Sequence, residues 1–204
     1  MIALIDYGVG NIRAFTNIYK KLGIPVKIAQ SIDDLTDITK LILPGVGAFD
    51  HAMKQLNQSG MRKRLDELVI ESKVPVVGIC VGMQMLAHAS DEGKFPGLGW
   101  LDASVKKFDG DKISYSTHLP HMGWNDVKHV KENDILKGLE KDAKFYFLHS
   151  YYFHCNNSSD IIATTDYGIE FSCAVNRNNI YGVQFHPEKS HEFGIRLLKN
   201  FANL

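Results

Sequence analysis

Short apolar runs alternate with longer stretches of good helix formers over the first half of the chain. The segments Ile2–Ile5, Val26–Ala29 and 40–43 have the length and composition of buried strands, as does the run 74–79. Residues from about 11 to 22 and stretches within 48–72 are predicted as helices. This alternation is typical of a parallel sheet that is covered on both faces.

The second half contains shorter segments rich in β-forming residues. We predict strand-like pieces at 103–108, 144–149, 161–165, 174–175 and 180–185, followed by a closing helix at 192–204. The order of these pieces returns the region after residue 185 to the sheet. No internal repeat, linker or low-complexity segment is apparent, so we expect residues 1–204 to form a single domain.

A cysteine lies between two glycines where the run 74–79 ends. Gly78 and Gly82 flank Cys80, and residues 83–89 are good helix formers, so Cys80 is predicted at a strand-to-helix turn, as in a nucleophile elbow. A side chain at either glycine would clash with the neighbouring strand or helix. Backbone N–H groups and the dipole at the start of the helix would favour the thiolate. The alternative is a small buried core cysteine.

A histidine and a carboxylate downstream favour the nucleophile hypothesis. His186 and Glu188 are two residues apart in Phe185-His186-Pro187-Glu188. A base that accepts the thiol proton and a carboxylate that orients the base are the other two parts of such a system.

Glycine-rich segments follow the predicted strands, at the edge of the sheet where ligands bind. The loop 44–47 can turn a backbone N–H toward an oxyanion, and we assign the N–H groups of Val46 and Val81 as donors. An ordinary tight turn is the alternative. Gly8 and Gly10 resemble a dinucleotide fingerprint only weakly, because Arg13 occupies the place of its third glycine.

Composition excludes several classes of protein. The 23 basic and 23 acidic residues balance, which argues against nucleic-acid binding. Three cysteines do not make a disulfide framework and suggest a reducing compartment. The N-terminus lacks the basic region of a signal peptide, and no apolar run is long enough to span a bilayer. We expect a soluble, cytoplasmic protein that binds neither nucleic acid nor membrane.

The histidines do not form a recognisable metal motif. His118 and His121 are three residues apart, and His149 and His154 are five apart, but neither spacing has a second matched pair. We therefore expect no metal and no cofactor, and we expect most histidines to be at the surface or hydrogen-bonded.

Several motifs together resemble those of class I glutamine amidotransferases, and more narrowly the glutaminase subunits of imidazole glycerol phosphate synthase. They occur in family order from Asp6 to the C-terminus, at 44–47 (PGVG), 78–84 (GICVGMQ), 120–125 (PHMGWN), 149–152 (HSYY) and 182–190 (GVQFHPEKS). The resemblance implies a flavodoxin-like α/β fold, with a central, mostly parallel sheet flanked by helices and a smaller antiparallel β portion.

The resemblance also implies roles for individual residues. Cys80 would attack the side-chain amide of glutamine, His186 would transfer protons, and Glu188 would orient His186. The family positions that bind glutamine correspond to Gly47, Gln84, Glu92, Ser150 and Tyr151. A solvated helix residue is the alternative for Gln84, and a surface charge is the alternative for Glu92.

The ammonia would pass to a partner. In the family it is channelled to a (β/α)₈ barrel that makes imidazole glycerol phosphate and AICAR in histidine biosynthesis, which implies a heterodimer. Interface positions correspond to Asn11, Trp124, Tyr146 and Lys189. Alternatively, Trp124 and Tyr146 are core aromatics and Asn11 is a helix cap.

Two departures from the family pattern leave the acceptor open. Val81 stands where leucine is more usual, and Trp100 where an aliphatic residue is common. With this tryptophan the segment 97–101 resembles related subunits that supply ammonia for amidation of surface-polysaccharide sugars. Hypotheses from other classes are a stand-alone cysteine hydrolase or peptidase and a non-catalytic regulatory subunit.

Overall fold

The computed structural model describes residues 1–113 and 119–204, and within them an eleven-stranded mixed sheet forms the centre of the molecule. A separate two-stranded sheet accompanies it. The strands are β1 (Ile2–Ile5), β2 (Val26–Ala29), β3 (Lys40–Gly45), β4 (Val76–Cys80), β5 (Ala89–Ser90), β6 (Ala103–Lys107), β7 (His121–Asp126), β8 (Lys128–His129), β9 (Lys144–His149), β10 (Tyr151–Cys155), β11 (Ile161–Asp166), β12 (Glu170–Arg177) and β13 (Ile180–Val183).

The parallel part of the large sheet has the order β2-β1-β3-β4-β13. Every residue of β1 and of β4 is buried, so both faces of these strands are covered, as the continuous apolar runs predict. The prediction of a parallel sheet is confirmed. Strand β3 runs two residues past its predicted end at 43, so that Gly45 pairs with Cys80.

The antiparallel part continues from β13 through β12, β10 and β6, with β11 and β8 branching from β12. Strands β7 and β9 pair separately as a ribbon. The smaller antiparallel portion is therefore confirmed. The apolar pattern did not predict β7 or β10, and β12 extends well beyond the predicted 174–175, because pairing with neighbours sustains these strands through their polar residues.

Five α-helices occur in the described residues: α1 (Ile12–Lys21), α2 (Phe49–Gln58), α3 (Arg62–Asp66), α4 (Val81–Gln84) and α5 (His191–Ala202). A turn of π-helix at Glu67–Glu71 follows α3. Tyr19 of α1 donates its hydroxyl to Leu198 O of α5 at 3.1 Å, which joins these two helices. No helix of the described chain has the length and apolar character required to cross a membrane.

The predicted helix at 83–89 is wrong beyond its first turn. The carbonyls of Met85, Leu86 and Ala87 instead accept hydrogen bonds from the backbone N–H groups of Leu98, Leu101 and Gly99, at 2.7, 3.0 and 3.0 Å. These bonds join segments distant along the chain, and they take the acceptors that a longer α4 would use for its own ladder.

Candidate active site

Cys80 occupies a strained turn between β4 and α4. Its backbone angles are φ 55° and ψ −114°, a conformation that costs a non-glycine residue about 1–3 kcal/mol. A Cβ on Gly82 would overlap Leu43 O, and one on Gly78 would lie 2.6 Å from Gly82 O. The prediction that side chains at these glycines would clash is confirmed, because the turn packs directly against β3 and against its own following helix.

The helix after Cys80 is too short for the dipole effect that we expected. With four residues, α4 has only a small macrodipole. Val81 begins this helix, and Val46 follows the end of β3, beside Cys80 in the sheet. Both residues line the cleft described below, where an oxyanion would form.

His186 and Glu188 form a buried pair beyond β13. The Nδ1 of His186 lies 2.9 Å from Glu188 Oε1, and the histidine backbone is held by a bond from its N–H to Tyr146 O at 2.8 Å. Burial lowers the pKa of His186, but hydrogen bonds and negative charge from Cys80 and Glu188 outweigh burial and raise the pKa to about 10. The charged form of His186 is therefore favoured by its hydrogen-bond partners, Cys80 and the Glu188 carboxylate.

A cleft of about 550 Å³ opens onto Cys80. It collects most of the sequence-predicted site residues, and Glu188 lies behind His186 as its hydrogen-bond partner. The predicted residues that line it are Val46, Gly47, Cys80, Val81, Gln84, Glu92, Ser150, Tyr151, His186 and Lys189.

The alternative for Gln84 is wrong, and the Glu92 carboxylate is half-buried and hydrogen-bonded. Gln84 is only 3% exposed, so it is not a solvated helix residue. Its Nε2 donates to Tyr151 O and to Gln184 Oε1, both at 3.1 Å. Glu92 is anchored rather than free at the surface, because its Oε2 accepts the N–H of Phe49 at the start of α2, at 2.9 Å.

Three buried polar side chains beside the cleft were not predicted as site residues. Gln184 Nε2 lies 3.9 Å from Cys80 Sγ, His149 Nδ1 lies 2.8 Å from Tyr151 O, and His121 Nδ1 lies 3.0 Å from His149 Nε2. Burial lowers the pKa of His121 to about 4, and burial together with the charge of His121 lowers the pKa of His149 to about 3. Gln184 is two residues before His186 in a segment predicted to be extended, so both side chains are expected on the same face. This spacing is the sequence signal that could have identified Gln184.

The other two cysteines have environments unlike that of Cys80. Burial and the charge of Asp160 raise the pKa of Cys155 to about 12, and burial alone raises the pKa of Cys173 far above its usual range. Both are therefore protonated at neutral pH, which makes them poor nucleophiles. Within residues 1–113 and 119–204 no group of three or more His, Cys, Asp or Glu side chains is arranged to hold a metal ion, and His118 lies outside the described residues.

Comparison with known proteins places this chain in a family. The family model for glutamine amidotransferase class-I matches residues 3–203. The chain belongs to the class I glutamine amidotransferases. Among its relatives in this family are proteins named imidazole glycerol phosphate synthase subunit HisH from Bdellovibrio bacteriovorus and Leptospira borgpetersenii, which are 59% and 52% identical over 100% of both chains.

Solved structures confirm the amidotransferase fold. A glutamine amidotransferase crystal structure matches with a TM-score of 0.76 at 20% identity, covering 100% of this chain and 99% of the other. The structure of PurLQS from Thermotoga maritima matches with a TM-score of 0.74 at 16% identity, covering 99% of this chain and 97% of the matched one.

Two of the four predicted interface residues of this amidotransferase, Trp124 and Tyr146, lie on the β7–β9 ribbon. Trp124 is 47% exposed, so it is not a core aromatic, and it stacks on His191 at 5.2 Å between ring centroids. It also pairs with half-buried Tyr146, and Lys189 Nζ lies 5.5 Å from the centre of that tyrosine ring.

Asn11 is an exposed residue at the N-cap position of α1. Its side chain makes no capping hydrogen bond in the described structure, so the helix-cap alternative accounts for its position but not for its side chain. Trp100, the departure from the family pattern, is buried and donates its indole N–H to Asp66 Oδ1 at 2.6 Å. Packing against the end of α3 explains this tryptophan.

Proposed function

We propose that this chain, acting as one domain over residues 1–204, is a glutaminase that releases ammonia from glutamine through a Cys80 thioester. The observation that carries the proposal is a strained cysteine in a cleft, coupled to a buried histidine whose Nδ1 lies 2.9 Å from a carboxylate. The names of the full-length relatives support the narrower proposal that it is the glutaminase subunit of imidazole glycerol phosphate synthase.

The reaction has two halves. Glu188 occupies Nδ1 of His186, so Nε2 takes the proton from Cys80. The thiolate attacks the side-chain carbonyl carbon of glutamine, and the N–H groups of Val46 and Val81 donate to the oxyanion. His186 returns the proton to the departing nitrogen, which leaves as ammonia. His186 then deprotonates a water molecule, which attacks the thioester carbonyl carbon. The Cys80 thiolate leaves and is reprotonated by His186, and the acyl group is released as glutamate.

Residues at the wall of the cleft would bind the amino-acid part of glutamine. Glu92 keeps one carboxylate oxygen for the substrate ammonium group, since the other accepts the Phe49 N–H. Both N–H groups of the Gln84 amide are engaged, which leaves its Oε1 as an acceptor. Backbone groups of Gly47, Ser150 and Tyr151 complete the set.

Free ammonia is mostly protonated at neutral pH, so its use as a nucleophile requires a protected path to the acceptor. We propose that a (β/α)₈ barrel synthase docks over the cleft and contacts Asn11, Trp124, Tyr146 and Lys189 in a cytoplasmic heterodimer. The exposed Trp124 and the amphipathic side chains around it suit such a surface.

The test is glutamate release by the chain with its co-purified barrel partner and the partner's nucleotide substrate. Cys80→Ala is expected to lower activity at least about 10⁴-fold, since the thiol forms the intermediate. Cys155→Ala is the matched control and should keep activity. Wild-type-like activity in Cys80→Ala would refute the nucleophile assignment, and absence of glutamate release by the wild-type complex would favour a non-catalytic subunit.

A further inference from the structure

Gln184 is a fully buried amide that contacts the candidate nucleophile. Its side chain is 0% exposed, and its Nε2 lies 3.9 Å from Cys80 Sγ, within hydrogen-bond range for sulfur. Its backbone N–H donates to Cys173 O of β12 at 2.8 Å, and this bond anchors the backbone of Gln184 beside the turn that carries Cys80. A buried, anchored amide in contact with a reactive sulfur has few ways to reorient.

We propose that Gln184 is a further catalytic residue, whose amide N–H donates to Cys80 Sγ and stabilises the thiolate. The inference rests on the proposed cysteine chemistry, but it does not require glutamine to be the substrate. The effect on the thiolate depends on which end of the amide faces the sulfur, because an amide oxygen in that place would repel the anion.

A backbone carbonyl decides the orientation. Tyr151 O can only accept, so the Gln84 atom 3.1 Å from it must be the Nε2 donor. The same Nε2 lies 3.1 Å from the Gln184 side chain, and the atom that it meets must therefore be the acceptor Oε1. The remaining end of Gln184, which faces Cys80, is the N–H donor.

The histidines on the other side of Tyr151 O continue the same hydrogen-bond network, with tautomers fixed in the same way. Tyr151 O also lies 2.8 Å from His149 Nδ1, which must carry the proton; Nε2 of the neutral ring is then an acceptor. His121 Nδ1 donates to it at 3.0 Å, and Asn125 Nδ2 donates in turn to His121 Nε2 at 3.2 Å. The lowered pKa values of both rings agree with the neutral state that this chain requires.

The sulfur needs a neutral donor besides His186. Leu148 O lies 4.0 Å from Cys80 Sγ and accepts the S–H of the thiol, but a carbonyl oxygen disfavours the anion. The charge on His186 changes as it transfers protons in each half of the reaction, whereas the Gln184 amide remains a donor throughout. Gln184 therefore supports the thiolate both when it attacks and when it leaves.

The test is the pH dependence of Cys80 alkylation by iodoacetamide, followed by mass spectrometry of the Cys80 peptide. Gln184→Met keeps the length but lacks the donor, and Gln184→Glu keeps the shape but presents an anion. We expect the pH midpoint of alkylation to rise by at least about half a pH unit in the methionine variant and further in the glutamate variant. The kcat for glutamate release should fall about tenfold in Gln184→Met with KM within about threefold.

Thr165→Val is the matched control, because it removes another buried hydrogen bond, from Thr165 Oγ1 to Asp126 O, without touching the sulfur. It should keep the wild-type midpoint. The proposal is overturned when both Gln184 variants have native circular dichroism and alkylate with the wild-type profile. Shifted midpoints in a protein that releases no glutamate would support Gln184 and refute the proposed function instead.

Discussion

Two imidazoles beside the same cleft are driven toward opposite charge states by their neighbours. His186 lies between Cys80 and the Glu188 carboxylate, and its pKa is raised. His149 is also buried, but it meets His121 and a backbone carbonyl, and its pKa is lowered. Burial disfavours both cations, so the hydrogen bonds and negative charge from Cys80 and Glu188 are the difference that raises the pKa of His186 and not that of His149. We therefore assign proton transfer to His186 and a structural role to His149.

Replacing Glu188 by Gln tests the orienting role. The amide keeps the shape but loses the charge that stabilises the His186 imidazolium, so we expect kcat to fall about 10²- to 10⁴-fold with KM changed little. Steady-state glutamate release by the partnered complex measures both constants. Glu170→Gln, at an exposed carboxylate that contacts Thr164, is the control. An unchanged kcat in Glu188→Gln would remove Glu188 from the triad.

Among the elements, the elbow is defined by how closely β3, β4 and α4 approach one another. Gly45 pairs with Cys80, and an added Cβ on Gly45 would lie 2.5 Å from Gly82 N. The loop that carries Val46 and the turn that carries Cys80 are therefore in direct backbone contact. This contact sets the spacing between the two proposed oxyanion donors, and it leaves no room for side chains.

Gly82→Ala is expected to lower the free energy of unfolding by at least about 2 kcal/mol, because the new Cβ would overlap Leu43 O in a rigid strand. Urea denaturation followed by circular dichroism measures the change. Gly110→Ala is the matched control, since its Cβ would meet nothing within 4 Å, and we expect a change below about 0.5 kcal/mol. Equal stabilities of the two variants would contradict the close approach at the elbow.

Across the molecule as a whole, the mixed sheet and the β7–β9 ribbon enclose a buried histidine pair whose charge state affects folding. His121 and His149 face each other, Tyr151 O and, through its charge, His186. Their pKa values of about 4 and about 3 lie below the usual 6.5. Between pH 6.5 and these lowered values the unfolded chain binds more protons than the folded chain. The contribution of this pair to stability is therefore complete above about pH 6.5 and is lost as the pH falls toward 4.

We predict that the free energy of unfolding falls by about 1.4 kcal/mol per pH unit for each of these histidines as the pH decreases from about 6 to about 4.5. His121→Phe should be less stable at neutral pH, because His149 loses its donor, but should lose stability less steeply on acidification. Denaturant titrations at several pH values measure both effects. His51→Phe, at an exposed position, should keep the wild-type slope; an unchanged slope in His121→Phe would contradict the prediction.

The docking proposal also concerns the molecule as a whole. Trp124→Ala is expected to raise the Kd for the barrel partner at least about tenfold, because exposed aromatics at the centre of an interface contribute strongly to binding. Titration calorimetry measures the affinity. Val130→Ala, at a 55% exposed residue outside the ribbon, should leave the Kd unchanged. Equal affinities of Trp124→Ala and wild type would exclude Trp124 from the contact.

The parallel strands and the positions of the candidate triad could be predicted from the amino-acid sequence. Apolar runs, the two glycines around Cys80, and the spacing of His186 and Glu188 are local signals, and each acts on backbone geometry or side chains within a few residues. The register that brings His186 to Cys80 follows once β13 pairs in parallel with β4.

The length of α4, the pairing of β7 and β10, and the roles of Gln184, His121 and His149 depend instead on contacts that form only in the folded chain. Hydrogen bonds from the backbone N–H groups of residues 97–101 end α4. Which amide atoms of Gln84 and Gln184 donate and which accept depends on Tyr151 O, which is far from both residues in the chain. Local patterns specify which residues are polar or apolar. The direction of a buried hydrogen bond depends on the partner that the fold places opposite it, and that partner lies elsewhere in the sequence.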